Sequence, residues 1–246
     1  LVGQPVCPSD DPETGARGLS VAEVEQLVED FVAAAVRAET AGFDGVEIHG
    51  AHGYILAQFL SPEINRREDR YGGSLENRSR ILFEIIDGVR ARCRPDFQLG
   101  LRLSPERFGL KLAEIRELAQ AVMRDGRIDY LDMSLWDVFK EPVEEEFKGR
   151  SLMSYFTELD RGKVRLGVAG KVTTPAIASR MLDEGADYVL IGRAAILHHD
   201  FPERARRDPA FTPIALPVTA EHLANEGLGP AFIKYMSTWP GFVQAA

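Results

Sequence analysis

The sequence predicts an α/β protein built from βα units, and three features of the chain support this class. Short apolar runs typical of buried parallel strands alternate with amphipathic helical segments along most of the 246 residues. No G-x-G-x-x-G motif occurs, and the polar motifs follow several different strands, as in barrels rather than open doubly wound sheets. Only five strands can be counted, whereas a closed (β/α)8 barrel needs eight. We therefore predict an incomplete TIM-type barrel over residues 1–207, without its first strands, and a C-terminal tail over residues 208–246.

The elements follow from local patterns in order along the chain. The first 18 residues are rich in Pro, Gly and Asp and are typical of a loop. Ser20 and Glu23 form an S-x-x-E capping box, and the apolar stripe after it predicts a helix that ends near Gly42. We expect strands near residues 44–48, 97–103, 128–134, 164–169 and 188–191. We expect further helices near residues 76–92, 111–125, 151–161, 174–184 and 193–208.

Composition excludes several classes of function. The net charge of −9, from 29 basic and 38 acidic residues, argues against non-specific binding to nucleic acid. No apolar run is long enough for a transmembrane helix, so we expect a cytoplasmic protein without a membrane partner. Cys7 and Cys93 are far apart and form no C-x-x-C motif, so a disulfide framework and cysteine-ligated metal centres are poorly supported. The chain begins with Leu1 and shows no signal segment, which is typical of a fragment or a processed product.

The densest polar cluster is IHGAHGY, just after the first predicted strand. His49 and His52 lie in a glycine-rich turn at the rim where barrel active sites form, and both imidazoles can point into one pocket. Paired N–H donors suit a carbonyl or phenolate oxygen that gains negative charge during reduction. Tyr54 stays protonated at neutral pH and can donate a proton. A structural turn is the alternative; a metal site is not expected, because no third ligand lies at a supporting spacing.

The surrounding sequence resembles a known family. Residues 42–80, GFDGVEIHGAHGYILAQFLSPEINRREDRYGGSLENRSR, are similar to the signature of the Old Yellow Enzyme (NADH:flavin oxidoreductase) family. The His-x-x-His-Gly-Tyr core, the FLSP turn and the YGGS-x-ENR segment occur together and in order, and weaker similarity continues to about residue 207. The resemblance implies an FMN-binding barrel of which this chain holds βα units four to eight.

The resemblance also implies roles for the polar residues. His49 and His52 would hold the oxygen of the substrate's electron-withdrawing group above the flavin. Tyr54 would protonate the α-carbon after hydride from flavin N5 reaches the β-carbon. Arg102, at the end of the second strand, needs an anionic or polar partner, and its own context leaves a structural salt bridge and a cofactor contact equally open. In the family this arginine lies beside flavin N1 and O2, where it favours the anionic reduced form.

Two loops after the last two predicted strands suit a phosphate group. They contain Gly170 with Lys171, and Gly192 with Arg193. Barrels often bind phosphate at these loops, where glycine lets the backbone approach and arginine supplies a bidentate charge. In the family these loops bind the FMN phosphate. Lys171 stands where a second glycine is common, which leaves the role of its side chain open.

We therefore expect an FMN-dependent oxidoreductase that uses NAD(P)H to reduce the activated C=C bond of an α,β-unsaturated carbonyl compound. One alternative is a relative acting on dienoyl thioesters or amines, although this chain lacks the cysteines of the iron–sulfur cluster usual there. A second is a non-catalytic barrel remnant, and a third is a phosphate-binding isomerase or aldolase without flavin. A homo-oligomer is also an open expectation.

Further expectations concern the chain as a whole and some weaker candidates. Because the strands that contact the flavin ring's N3, O4 and N5 edge in the family are not in this sequence, we expect this chain alone to bind FMN weakly or not at all. Ser134 and Trp136 follow the third strand and are candidates for contact with flavin or substrate. His198 and His199 are expected on the surface of the last helical stretch.

Overall fold

The computed structural model describes residues 3–244, which form two compact units. The first comprises residues 3–135 and 139–167, and the second comprises residues 136–138 and 168–244. The strands are β1 (Val6–Cys7), β2 (Arg17–Gly18), β3 (Gly45–Gly50), β4 (Gln98–Leu103), β5 (Tyr130–Ser134), β6 (Arg165–Ala169) and β7 (Tyr188–Leu190). The helices are α1 (Val21–Thr40), α2 (Ile55–Leu60), α3 (Leu75–Arg92), α4 (Leu112–Asp125), α5 (Ser154–Thr157), α6 (Pro175–Asp183), α7 (Arg193–Leu197), α8 (Phe201–Arg207), α9 (Ala220–Asn225) and α10 (Pro230–Met236).

The five predicted strands are confirmed and share one sheet in the order β3-β4-β5-β6-β7. In the first unit, β3 pairs with β4 and β4 with β5, both in parallel. Parallel neighbours need a crossover between them, and α3 and α4 supply it. The carboxyl ends of these strands therefore lie at one edge of the sheet, where a parallel α/β protein builds its site.

The two faces of β3, β4 and β5 differ in chemistry. One face carries buried aliphatic side chains, including Ile48, Leu101 and Leu131, which alternate along the strands with the polar set. Helices α1 and α3 pack on each other, and α1 also packs on β3. The other face carries a row of polar residues set by the strand register, in which His49 pairs with Arg102 and Arg102 with Asp132. Alternation thus separates a hydrophobic core from a polar face.

The long helices begin and end close to the predicted positions. Ser20 caps α1 with the predicted capping box, in which its side chain accepts from Glu23 N and the Glu23 carboxylate accepts from Ser20 N. The Ser74 side chain caps α3 by accepting a hydrogen bond from Asn77 N. Among residues 3–244, every helix is too short or too polar to span a lipid bilayer.

Other predicted boundaries were wrong. The helix expected near residues 151–161 shortens to α5, and the single stretch expected over 193–208 is two helices interrupted after Leu197. Helix α2 was not predicted, because its six residues follow the glycine-rich turn directly and are too few to show a helical period. His198 was expected on a surface, yet it is buried, because it ends α7 inside the second unit.

The second unit has its own hydrophobic cluster. Buried apolar side chains from α7, α9, α10, the segment before α9 and the residues after α10 pack together: Leu197, Val218, Leu223, Met236 and Phe242. An isolated parallel bridge joins Val218 to Val243, so backbone hydrogen bonds connect the segment before α9 to the residues after α10. Trp239 packs against this cluster, which is the packing role that a tail aromatic most often has.

Candidate functional site

Three predicted residues meet at the carboxyl end of β3. The His49 ring lies 5.1 Å from the His52 ring and 5.4 Å from the Tyr54 ring, measured between centroids. His49 is half-buried, whereas His52 and Tyr54 are exposed, and Tyr54 retains 64% of its accessible surface. Two imidazoles and a phenol thus share one small polar patch with a solvent-facing side.

The turn between these residues depends on backbone geometry. His52 has φ 59° and Gly53 has φ 73°, so the chain makes a left-handed turn before Tyr54 caps α2. The His52 amide donates a 2.9 Å hydrogen bond to Oγ of buried Ser104, which lies just after β4. Ser104 therefore fixes the turn to the neighbouring strand, a role that the sequence patterns did not indicate.

Electrostatics keep both imidazoles neutral near pH 7. Burial lowers the pKa of His49 below its ordinary value of 6.5, and the positive charge of Arg102 lowers it further. Loss of solvent also lowers the pKa of His52, with smaller effects from His49 and Arg102. A neutral imidazole keeps one N–H donor, so the two rings can donate hydrogen bonds to an oxygen atom without carrying full charge.

Arg102 lies in the middle of the polar face and contacts carboxylates on both flanking strands. Its Nε donates a 2.6 Å hydrogen bond to Oε1 of Glu47 on β3. Its Nη2 lies 2.8 Å from Oδ2 of Asp132 on β5, an ion-pair distance without hydrogen-bond alignment. The two interpretations that the sequence left open for Arg102 are therefore both compatible with its position, since its guanidinium is paired yet 27% exposed.

The sequence patterns did not single out Glu47 and Asp132, the two carboxylates that contact Arg102. Glu47 precedes His49 by two positions and Asp132 precedes Ser134 by two, so strand alternation places each pair on one face. The sequence did contain a signal for them. Each is a charged residue within an otherwise buried parallel strand, where an unpaired charge is costly, so a partner on a neighbouring strand could have been expected. Ser134 lies on the same face, and its buried Oγ makes no hydrogen bond to the described residues.

In the second unit, Gly170 and Lys171 form a constrained loop after β6. Gly170 has φ 150°, and a Cβ there would lie 2.7 Å from Asp137 N and 2.8 Å from the carbonyl carbon of Trp136. Lys171 has φ 53°, and its Nζ lies 2.8 Å from Oδ2 of Asp137. The lysine side chain is thus already paired, while the backbone shape requires glycine at position 170.

The loop that contains Gly192 and Arg193 is less crowded than the loop at Gly170. Gly192 precedes α7, and a Cβ there would meet no protein atom within 4 Å, so packing does not require glycine. Glycine at this point leaves the backbone accessible to a ligand. Arg193, the first residue of α7, is exposed. Open backbone beside an exposed guanidinium fits a phosphate group, and the neutral donors and Arg102 of the first unit fit a polar ring and carbonyl.

The weaker candidates are also located. Trp136 is 58% exposed and has φ 69°, an unusual conformation for a bulky residue.

His198 approaches His222 and Glu226, which are residue types that bind metals. However, His198 Nε2 accepts a 3.0 Å hydrogen bond from Ile214 N. The proton of the neutral ring is therefore on Nδ1, which leaves that nitrogen no lone pair for an ion.

Comparisons with known proteins identify the family of this chain. The sequence profile of the NADH:flavin oxidoreductase / NADH oxidase family matches residues 4–210. The chain is 35% identical over 214 residues to an NADH oxidase of Thermoanaerobacter brockii, a match that covers 82% of this chain and 33% of the relative. It is 38% identical over 202 residues to a probable NADH-dependent flavin oxidoreductase of Bacillus subtilis (strain 168), covering 78% of this chain and 54% of that protein.

A solved structure is similar as well. The structure of morphinone reductase in complex with tetrahydroNAD matches with a TM-score of 0.70 and 31% identity, over 90% of this chain and 63% of that one. The chain thus spans less than two thirds of each of these relatives, and its five strands are part of their TIM barrel. A match of this extent implies FMN as cofactor and NAD(P)H as electron donor. The resemblance to Old Yellow Enzyme is confirmed, and the chain belongs to the NADH:flavin oxidoreductase / NADH oxidase family.

Proposed function

We propose that this chain supplies the substrate-binding and proton-donating residues of an ene-reductase, which reduces the activated C=C bond of an α,β-unsaturated carbonyl compound. The observation that carries the proposal is the cluster at the end of β3, in which the His52 and Tyr54 rings lie 5.1 and 5.4 Å from the His49 ring. When bound, FMN supplies the hydride. The residues of the chain bind the substrate, orient it and move one proton.

Each residue has a distinct part in the proposal. His49 and His52 donate N–H hydrogen bonds to the substrate oxygen, which gains negative charge as the alkene is reduced. Their lowered pKa values keep them neutral donors. Tyr54 transfers its hydroxyl proton to the α-carbon, and its exposure leaves its oxygen accessible to a substrate. Water re-protonates the phenolate afterwards.

Two further groups of residues bind the cofactor in this proposal. Arg102 lies beside the flavin ring system, where its guanidinium offers positive charge to the pyrimidine end. Gly170, Lys171, Gly192 and Arg193 bind the phosphate group through backbone amides and the Arg193 guanidinium. Lys171 contributes backbone only, because its ammonium group is paired with Asp137. A cytoplasmic location and a homo-oligomer stay predictions from the sequence.

The test combines flavin binding with turnover. FMN is titrated into the chain and followed by absorbance, and activity is then measured with NADPH or NADH and 2-cyclohexen-1-one as a simple enone. We expect Tyr54→Phe to lower enone reduction by roughly 10²–10⁴-fold, the range for a general acid, while flavin reduction by the nicotinamide stays unchanged. Tyr155→Phe, a substitution on α5 remote from the cluster in sequence, is the matched control. Equal enone reduction in wild type and Tyr54→Phe would refute the role of Tyr54.

A further inference from the structure

Asp132 is the most unusual ionisable group in the first unit. Its side chain is fully buried on β5, and neither carboxylate oxygen accepts a hydrogen bond from the described residues. Buried carboxylates are ordinarily satisfied by several donors, because an unsolvated charge is costly. Its nearest cation is Arg102, with Nη2 at 2.8 Å from Oδ2.

Glu47, the second carboxylate that contacts Arg102, differs from Asp132 in being hydrogen-bonded and partly exposed. Glu47 accepts a 2.6 Å hydrogen bond from Arg102 Nε, and its side chain is 22% exposed. One ordinary ion pair therefore already balances the guanidinium charge. An ionised Asp132 would add an uncompensated negative charge to the row, whereas a protonated Asp132 would leave the row neutral.

The surroundings of Asp132 favour its protonated form. Burial raises the pKa of the Asp132 carboxyl from 3.8 to about 7, against the lowering effect of Arg102, and the Glu47 carboxylate raises it further. On β5 itself, burial and the Glu47 charge raise the pKa of Tyr130 to about 12, so that phenol is neutral. His49, in the same row on β3, is neutral near pH 7 because burial lowers its pKa. On the other side, β6 carries one charged residue, Arg165, which is exposed.

We propose that Asp132 is a positioning residue for Arg102 that takes up a proton from solvent when a negatively charged flavin ring lies beside that arginine. The inference rests on the proposed function, because it places the flavin ring beside Arg102. Proton uptake converts the Asp132 carboxylate to a carboxylic acid, and no electrons move in this step. Because Arg102 then faces only the Glu47 carboxylate, more of its positive field is available to the anion.

Thermodynamic linkage makes the effect reciprocal. If a bound anion raises the proton affinity of Asp132, protonation of Asp132 raises the affinity for that anion by the same factor. A rise of about one pKa unit corresponds to a tenfold change in affinity. A residue with only a structural role would shift affinity equally at every pH.

The first experiment titrates Asp132 directly in the wild-type chain. Carbon-13 NMR of the carboxyl group, assigned through its own backbone resonances, is followed against pH in three samples: without flavin, with millimolar oxidised FMN, and with millimolar FMN reduced by dithionite. We expect a midpoint near 7 without flavin and a rise of about one unit with reduced FMN. Asp96, which precedes β4 and has a side chain 83% exposed, serves as the internal control and should not respond.

The second experiment compares Asp132→Asn with wild type and with Asp96→Asn. Asparagine keeps the volume but cannot ionise, so the ratio of reduced-FMN affinities, variant over wild type, should be near one at pH 6, about fivefold at pH 8 and close to tenfold only at higher pH. Because both proteins bind the same ligand, this ratio removes the pH dependence that comes from ionisation of the free flavin. If Asp132→Asn does not fold, the wild-type titration decides alone.

The outcomes separate the two proposals. If FMN at millimolar concentration perturbs no resonance around Arg102, the proposed function fails for this chain and the inference fails with it. If FMN perturbs those resonances but the Asp132 midpoint does not rise, the inference alone is overturned. A midpoint below about 5 without flavin, within the ordinary range of aspartates, also overturns it.

Discussion

The amide of His52 donates a 2.9 Å hydrogen bond to Oγ of Ser104, which joins the turn after β3 to the loop after β4. The two residues are 52 positions apart in sequence, and Ser104 is buried. Since His52 has a positive φ, the turn needs an external contact to hold its shape. Ser104 supplies that contact for the turn that carries His52 and Tyr54.

Replacement of Ser104 therefore tests the turn. Ser104→Ala leaves the His52 amide without its acceptor, and we expect a loss of about 1–3 kcal/mol in the free energy of unfolding, measured by urea denaturation. Thr40→Ala, which removes an exposed hydroxyl bonded within α1, is the control and should stay within about 0.5 kcal/mol. Equal effects of the two substitutions would contradict the role of Ser104.

Gly170 and Gly192 should respond oppositely to alanine. At Gly170 the φ of 150° and the contact with Asp137 N strain any side chain, so Gly170→Ala should cost about 1–3 kcal/mol of stability. Gly192→Ala places its methyl group in open space and should leave stability nearly unchanged while it weakens FMN binding. Urea denaturation and FMN fluorescence quenching measure the two effects. Unchanged stability in Gly170→Ala would show that the loop relaxes freely.

The two basic residues of these loops should also differ. We expect Arg193→Ala to weaken FMN binding about tenfold or more, because an exposed guanidinium at the start of α7 is available to phosphate. Lys171→Ala should have a smaller effect, because its ammonium group is paired with Asp137. Riboflavin, which lacks the phosphate, is the control ligand, and its affinity should be the same in wild type and Arg193→Ala. A parallel loss for riboflavin would place Arg193 away from the phosphate.

The histidine pair predicts a pH effect of defined sign. Since the folded-state pKa of His52 lies below 6.5, protonation favours the unfolded chain, and this group's contribution to stability falls as pH drops below 6.5. His49→Gln removes a ring that becomes positively charged as the pH falls below 6.5, so it should raise the His52 pKa, though less than burial lowers it. Nitrogen-15 NMR of the imidazoles measures this shift. Tyr54→Phe is the control, because Tyr54 is not among the groups that shift the His52 pKa, and a shift of equal size there would contradict the assignment.

Much of the fold could be predicted because it depends on local patterns. The capping box at Ser20 and the apolar stripe after it were sufficient for α1, and glycine-bounded apolar runs were sufficient for all five strands of the sheet. Helix α2 and the break after Leu197 could not be predicted, since short helices are stabilised by packing rather than by a visible period. The burial of His198 likewise depends on tail residues distant in sequence, such as Ile214.

The sequence by itself determined the family of this protein and the identity of its candidate polar residues, because His49, His52 and Tyr54 lie within one short motif. Only the tertiary structure decided which side chains surround Arg102. Strand register, which no single segment encodes, places Glu47 and Asp132 on either side of it. Likewise only the folded loop shows Lys171 paired with Asp137, 34 residues earlier in the chain. The charge state of a buried group depends on such neighbours and on lost solvent, and both arise only when distant segments pack together.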